Sequence, residues 1–315
     1  MKNLKSKNLS DTIHSLSLTL IAFIVLTVII GCDDTPLEVT NYNPEPYLSA
    51  FLENGTPVAE VWLERMSPLE GLYEPSNTGE RNAQITIYEV GGDSLQMVED
   101  PDSLGYGRYV PKDNQSLIPE SFKEYQIKVV TTGNEILEAE TRMPGKIETA
   151  RVVLIDIATM TETPVNDGDT LTRNDPNLYF LWETVEGAGG YKGFAKCLEP
   201  RDSTAMIPLD PDWDPTDEDD EIEDGDLERA GWTPMRNDQT MTTLPWIIFN
   251  WQGRYQVSML AVSTEYYEYL FSLQRVMQGM INKPKYNVTG DGFGVFGAYS
   301  RWDINIYMQK VESMD

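Results

Sequence analysis

Histidine is all but missing from these 315 residues, His14 being the only one. Cysteine is nearly as scarce, with Cys32 and Cys197 alone, and 24 Lys plus Arg stand against 51 Asp plus Glu for a formal net charge of -27. Each shortage excludes something. A field this negative repels phosphate backbones and anionic surfaces, so no nucleic acid is expected as a partner. Two cysteines cannot build a disulfide framework or a thiolate metal cluster. No apolar run reaches the ~20 residues that a spanning helix needs. The longest, Leu16 to Ile30, stops at 15 residues.

That run is nonetheless the clearest signal in the chain. Lys2, Lys5 and Lys7 precede it, and it ends in Ile29-Ile30-Gly31-Cys32. A basic start, an apolar stretch and a small residue before a cleavage point describe a targeting segment. The four residues resemble the lipobox of bacterial lipoproteins. The resemblance implies diacylation of the Cys32 thiol, cleavage before Cys32 and acylation of the new amino terminus. A retained N-terminal anchor and a plain secretory signal are the alternatives. Acylation gains about 0.8 kcal/mol per buried methylene, so several chains hold a soluble domain on a bilayer.

Cleavage removes His14, three lysines and one aspartate, leaving a more acidic mature chain without histidine. Ser-His-Asp triads, Cys-His dyads, imidazole zinc sites and histidine acid/base steps are then excluded. With Cys32 acylated, Cys197 is the last thiol. It lies in the alternating stretch "YKGFAKCLE" and is expected to be a half-buried strand residue rather than a reactive group.

Residues 32–46 carry three prolines and several acids without periodicity, which predicts a flexible tether. From Tyr47 onward short alternating segments follow: "YLSAFL" closed by Asn54-Gly55, "AQITIYEV" before Gly91-Gly92, "EYQIKVVTT" before Gly133-Asn134. Their spacing predicts an Ig-like β-sandwich over 47–146. A second β-rich domain is expected over 147–315. There Trp182 and Tyr191 flank a Gly-rich turn with a spacing similar to the B and C strands of fibronectin type III sandwiches. One segment breaks the pattern. Tyr266, Tyr269, Leu270, Leu273, Val276, Met277 and Met280 share one face at helical spacing, predicting an amphipathic helix near 264–281 that packs on its own sheet. The fold class is therefore mainly β, with two sandwiches and one helix in the C-terminal half.

Two motifs invite chemistry. "GFGVFG" places Gly292, Gly294 and Gly297 in a G-x-G-x-x-G pattern, but a strand-like stretch follows instead of a helix and only 18 residues remain. A dinucleotide site is excluded on those grounds, and close packing of backbone and rings is expected. In the acidic loop 209–229, Asp210, Asp212, Asp214 and Glu221 occupy positions 1, 3, 5 and 12 of an EF-hand-like calcium loop. Pro215 stands where that loop needs glycine, and twelve acids in 19 residues make chance matches easy. A solvated loop and a calcium site both stay open.

Taken together, "AQITIYEV", "GYGRYVP", "EYQIKVV", "ETRMPGKI" and "YNVTGDGFGVFGAYS" resemble the Bacteroidota-type outer-membrane lipoprotein family known as the domain of unknown function DUF4249. The acidic insertion after Pro208 departs from its pattern. The resemblance implies an Ig-like or carboxypeptidase-regulatory-like N-terminal sandwich and a frequent neighbour, a TonB-dependent outer-membrane receptor. It also implies a lipid-anchored protein facing the cell exterior, for which Asp33 and Asp34 after the cysteine resemble a surface-export signal. The leading expectation is a noncatalytic lipoprotein that binds a ligand or partner. The alternative is a carboxylate-dependent glycan-active enzyme, which needs only Asp and Glu pairs, or a glycan-binding module with exposed Trp213 or Trp251 as stacking platforms and Trp182 in the core.

Overall fold

A computed structural model describes residues 44–66, 78–199, 207–209, 230–231 and 234–311. Alternation becomes structure first in β1 (Pro46–Glu53), where every second side chain from Pro46 to Leu52 is buried. β2 (Val61–Arg65), β3 (Gln84–Glu89), β4 (Ser94–Glu99), β5 (Arg108–Pro111), β6 (Glu124–Val130) and β7 (Ile136–Arg142) complete the first half. Ile85, Ile87, Tyr125, Ile127 and Val129 point inward while their neighbours face solvent, as a strand's two-residue period requires.

The second half contains β8 (Arg151–Asp156), β9 (Thr161–Val165), β10 (Thr170–Leu171), β11 (Asn177–Leu181), β12 (Gly190–Cys197), β13 (Ala230–Gly231), β14 (Met235–Arg236), β15 (Met241–Leu244) and β16 (Gly253–Val262). Helix α1 (Thr264–Met277), β17 (Thr289–Gly290) and β18 (Phe293–Met308) follow. A four-stranded sheet, β15-β11-β8-β9, faces the β12-β16-β18 ladder of the larger sheet. With β8, β11 and β15 on one layer and β12, β16 and β18 on the other, this half has the A-B-E over C-F-G arrangement of an Ig-like sandwich. Trp182, just past β11, meets Tyr191 of β12 at 5.1 Å between ring centroids, so Trp182 lies in the core as expected and Tyr191 lies there with it.

The larger sheet runs through both halves in the order β13-β12-β16-β18-β1-β2-β5-β4-β3-β6-β7-β17. Its continuity rests on β18. The first part of that strand pairs parallel with β1, from Tyr47↔Phe293 to Glu53↔Tyr299. The rest pairs antiparallel with β16, from Val262↔Tyr299 to Gly253↔Met308. Two hydrophobic cores result. Leu48, Ile87, Tyr125 and Phe296 belong to the first, and Phe180, Tyr191, Val257 and Ile306 to the second. Asn54 lies where the halves join, its Nδ2 within donating distance of Ser121 Oγ at 2.7 Å, Ser300 Oγ at 2.8 Å and the Pro144 carbonyl at 3.3 Å.

Helix α1 begins at Thr264, where the sequence predicts a start, and the structure shows its cap: the Ser263 hydroxyl accepts from the Tyr266 amide. It ends earlier than expected, at Met277. Gly279 takes φ +69°, its amide donates to the Val276 carbonyl and the Met280 amide donates to the Arg275 carbonyl. That is a Schellman stop, which the sequence shows only as a glycine. The helix covers β18 on the side away from the first core, and this explains why Gly294 to Ala298 are buried without alternation. Its apolar stripe is only partly covered. Tyr266 and Tyr269 pack on Phe51 and Tyr286, but Met277 and Met280 remain 82% and 63% exposed.

Candidate functional site

The first half nearly closes on itself, and its seam lies between β7 and β18. Asn287 bridges the gap. Its Nδ2 donates to the Glu140 carbonyl of β7 at 3.1 Å and to the Phe296 carbonyl of β18 at 2.8 Å, and its Oδ1 accepts from the Phe296 amide at 2.9 Å. Two residues on, Thr289 Oγ1 donates to the Glu138 carbonyl at 3.1 Å. The motif that carried the family resemblance is thus a closure device. Its glycines serve the same end: a Cβ on Gly290 would sit 2.1 Å from the Ile136 carbonyl oxygen, and one on Gly297 would strike the Tyr266 side chain at 2.7 Å. Gly294 and Gly297 lie within β18 itself, the strand that the sequence context predicts after this pattern.

Over this seam lies an open concavity of about 420 Å³. Strand register builds it in two cross-strand rows: Tyr88, Gln126 and Glu140 in one, Lys128 and Glu138 in the other, with Asn287 and Thr289 at the edge. Tyr88 is 39% exposed. Lys128 Nζ donates to Glu138 Oε1 at 2.7 Å, and this carboxylate raises the ammonium above its usual range. The surface offers an aromatic face, an amide, a carboxylate and a neutralised ion pair side by side. Such a set suits hydrogen bonding and stacking to a polar ligand.

A second polar cluster fixes the point where the chain enters the fold. Arg65 Nη1 donates to the Pro44 carbonyl at 2.8 Å and to Glu135 Oε1 at 3.2 Å. Its Nη2 and Nε complete ion pairs with Glu135 and Glu80, the planar fork that favours arginine over lysine here. The Arg65 hydrogen bond is the chief cause that holds the Glu135 carboxyl below its ordinary value, against burial, with help from the Thr131 hydroxyl. A depressed carboxylate contributes stability that is complete above the ordinary pKa of about 4.3 and is lost as pH falls through the folded value. The urea midpoint of unfolding is therefore expected to fall below that pH, and to fall less steeply in Glu135→Gln. Equal acid slopes in the two proteins would rule out this contribution.

Cys32, Trp213 and the four carboxylates Asp210, Asp212, Asp214 and Glu221 lie outside the described residues. Among the described residues, no group of three or more His, Cys, Asp or Glu is placed to hold a metal ion. Cys197 is buried on β12, more deeply than expected, and burial pushes its thiol up. Trp251 does not offer an exposed platform: it is only 4% exposed within the second core. Its amide donates to the Tyr255 hydroxyl at 2.9 Å, and it bridges to Pro208. No helix among the described residues is long and apolar enough to cross a membrane. Asn287 and Arg65 were not foreseen, because their partners Glu140 and Glu135 lie 147 and 70 residues away.

Comparison with known proteins adds a family and two distant structural likenesses. Among curated proteins, none matches the sequence. The FN1-FN3 domains of chicken CNTN1 align over 86% of this chain and 68% of theirs, at 14% identity and a TM-score of 0.22. A mutant of Salmonella alpha-2-macroglobulin aligns over 87% of this chain at 12% identity and a TM-score of 0.20, with this chain spanning 16% of its length. The family described as a domain of unknown function, DUF4249, matches residues 34–303, and the chain belongs to it.

Proposed function

We propose that this protein is a noncatalytic lipoprotein of the bacterial outer membrane, held by acylated Cys32, facing the cell exterior and binding a ligand or partner protein. The observation that carries the binding role is the seam concavity. It is built on the paired strands β3, β6 and β7, its ionisable pair Lys128–Glu138 is already neutralised, and its remaining groups are suited to contact rather than proton transfer. The lipobox and the tether ahead of Pro46 support the anchored state. A TonB-dependent receptor is the partner class that the family resemblance suggests.

One observation favours a second reading. Glu138 and Glu140 stand two residues apart on the outward face of β7 and line the same concavity as Tyr88, so a glycan-binding module or a carboxylate-dependent glycan-active enzyme would use the same surface. Intact cells treated with protease are expected to lose the folded domain, and the solubilised protein to retain a receptor partner on purification. Complete protection of the domain would overturn the surface assignment. Release of cleavage products from a glycan panel would overturn the noncatalytic one.

A further inference from the structure

Three features converge at one end of the folded unit. The first is direction. Tyr266 of α1 packs on Phe51 at 4.5 Å between centroids, while Tyr269, one turn on, places its hydroxyl 3.3 Å from that of Tyr47. Successive turns of α1 therefore step back along β1 toward Pro44, where the chain enters the fold. At 1.5 Å per residue, Met277 lies about 12 Å beyond Tyr269 in that direction. The second is composition. Met277 and Met280 are the most exposed apolar residues of the helix and its stop, and Phe271, 43% exposed, stacks on Tyr267 one turn earlier. The Schellman stop fixes Met280 in place.

The third is charge. Between Glu268 and Asp291 the sequence has no acid, and its only charged residues are Arg275, Lys283 and Lys285. Lys285 pairs with Glu268 at 2.6 Å, which leaves Arg275 and Lys283 as added positive charge. In a protein of net charge -27 this segment can approach phospholipid headgroups while acid-rich surfaces are repelled. Apolar side chains flanked by long cationic ones are the composition that lies in a membrane interface, the cations snorkelling to the phosphates.

We propose that the end of α1 and the turn after it, Arg275 to Lys285, is a membrane-seating surface that rests on the bilayer holding Cys32, with Met277 and Met280 at the headgroup–acyl boundary. The inference rests on the lipid-anchor reading. Cys32 stands 12 residues before Pro44, a span of at most about 40 Å, a length that would let the surface meet the leaflet holding an acylated Cys32. Seating would orient the domain on the membrane instead of leaving it free on its tether.

The test uses full-length acylated protein in vesicles of phosphatidylethanolamine and phosphatidylglycerol. Met280→Cys carries an environment-sensitive fluorophore, and Met160→Cys on the β8–β9 hairpin, where Met160 is 76% exposed, serves as control. Buried Cys197 is not expected to label. The Met280 label should shift to the blue and be quenched by brominated lipid several-fold more than the Met160 label. Replacing Met277 by glutamate should reduce that difference. Equal quenching in membrane-bound protein would overturn the seating surface, as would a blue shift that appears only when a partner protein is added. Failure of the protein to enter the vesicles at all would refute the lipid anchor itself, a distinct outcome.

Discussion

Gly294→Ala is expected to destabilise the folded unit by about 4 kcal/mol, from roughly 1–3 kcal/mol of backbone strain and roughly 1–3 kcal/mol of overpacking. The strain arises because Gly294 takes φ +143°, a conformation that L side chains rarely adopt. The overpacking arises because a Cβ at this position would lie 1.9 Å from the Leu48 carbonyl oxygen and 2.7 Å from the Leu48 carbonyl carbon and amide nitrogen. Those atoms belong to the backbone of β1 and cannot turn aside as a side chain would. Relief requires β1 and β18 to separate, and this parallel pairing is what carries the sheet from one half into the other. Gly91→Ala is the control, since Gly91 has φ +77° with nothing within 4 Å of a new Cβ. It should cost about 1 kcal/mol. For a domain of this size the two variants should differ by roughly 6–12 °C in Tm. Equal losses in urea or thermal unfolding would show that the β1–β18 contact yields without cost.

Gly294 also marks the limit of what the sequence discloses. Strand alternation is a local property, so the inward faces of β3 and β6 are legible from neighbouring residues. Pairing is not local. β18 joins β1 across more than 240 positions, and nothing within "GFGVFGAYS" shows that a single strand serves two cores. The same blindness explains Asn287, whose amide has no evident task until β7 and β18 stand on either side of it. It also explains Trp251, which follows a polar Asn beside a turn and looks exposed until Tyr255 and Pro208 enclose it. Helix α1 shows both sides. Spacing locates the helix, but Met280 of its stripe falls beyond the helix end; whether a sheet lies beneath each turn depends on where β1 begins, and beyond Tyr269 the stripe runs past that point. The seam concavity was illegible for a similar reason, since Tyr88, Gln126 and Glu140 become neighbours only through the register of β3, β6 and β7.

Cys32→Ala should abolish membrane attachment, the largest functional effect expected of any single substitution in the chain. On the proposed lipid anchor, alanine leaves no thiol to acylate, and the missing acyl chains would forfeit about 0.8 kcal/mol per buried methylene. The 15-residue apolar run before it is too short to replace them as a span. The wild-type protein should enter the detergent phase on phase separation, with an N-terminal peptide that begins at Cys32 and carries acyl mass. The variant should lack acyl mass and be absent from the membrane fraction in mature form. Mass spectrometry of the N-terminal peptide separates this outcome from both alternatives. A wild-type protein cleaved near Cys32 with an unmodified thiol would mean a plain secretory signal, and retention of residues 1–31 in both proteins would mean an uncleaved anchor. Loss of attachment should leave the fold intact, because Arg65 and the β1–β18 pairing secure the chain from Pro44 onward without reference to what precedes it. A variant with unchanged unfolding midpoint but no membrane fraction would show that anchoring and folding are separate properties of this sequence.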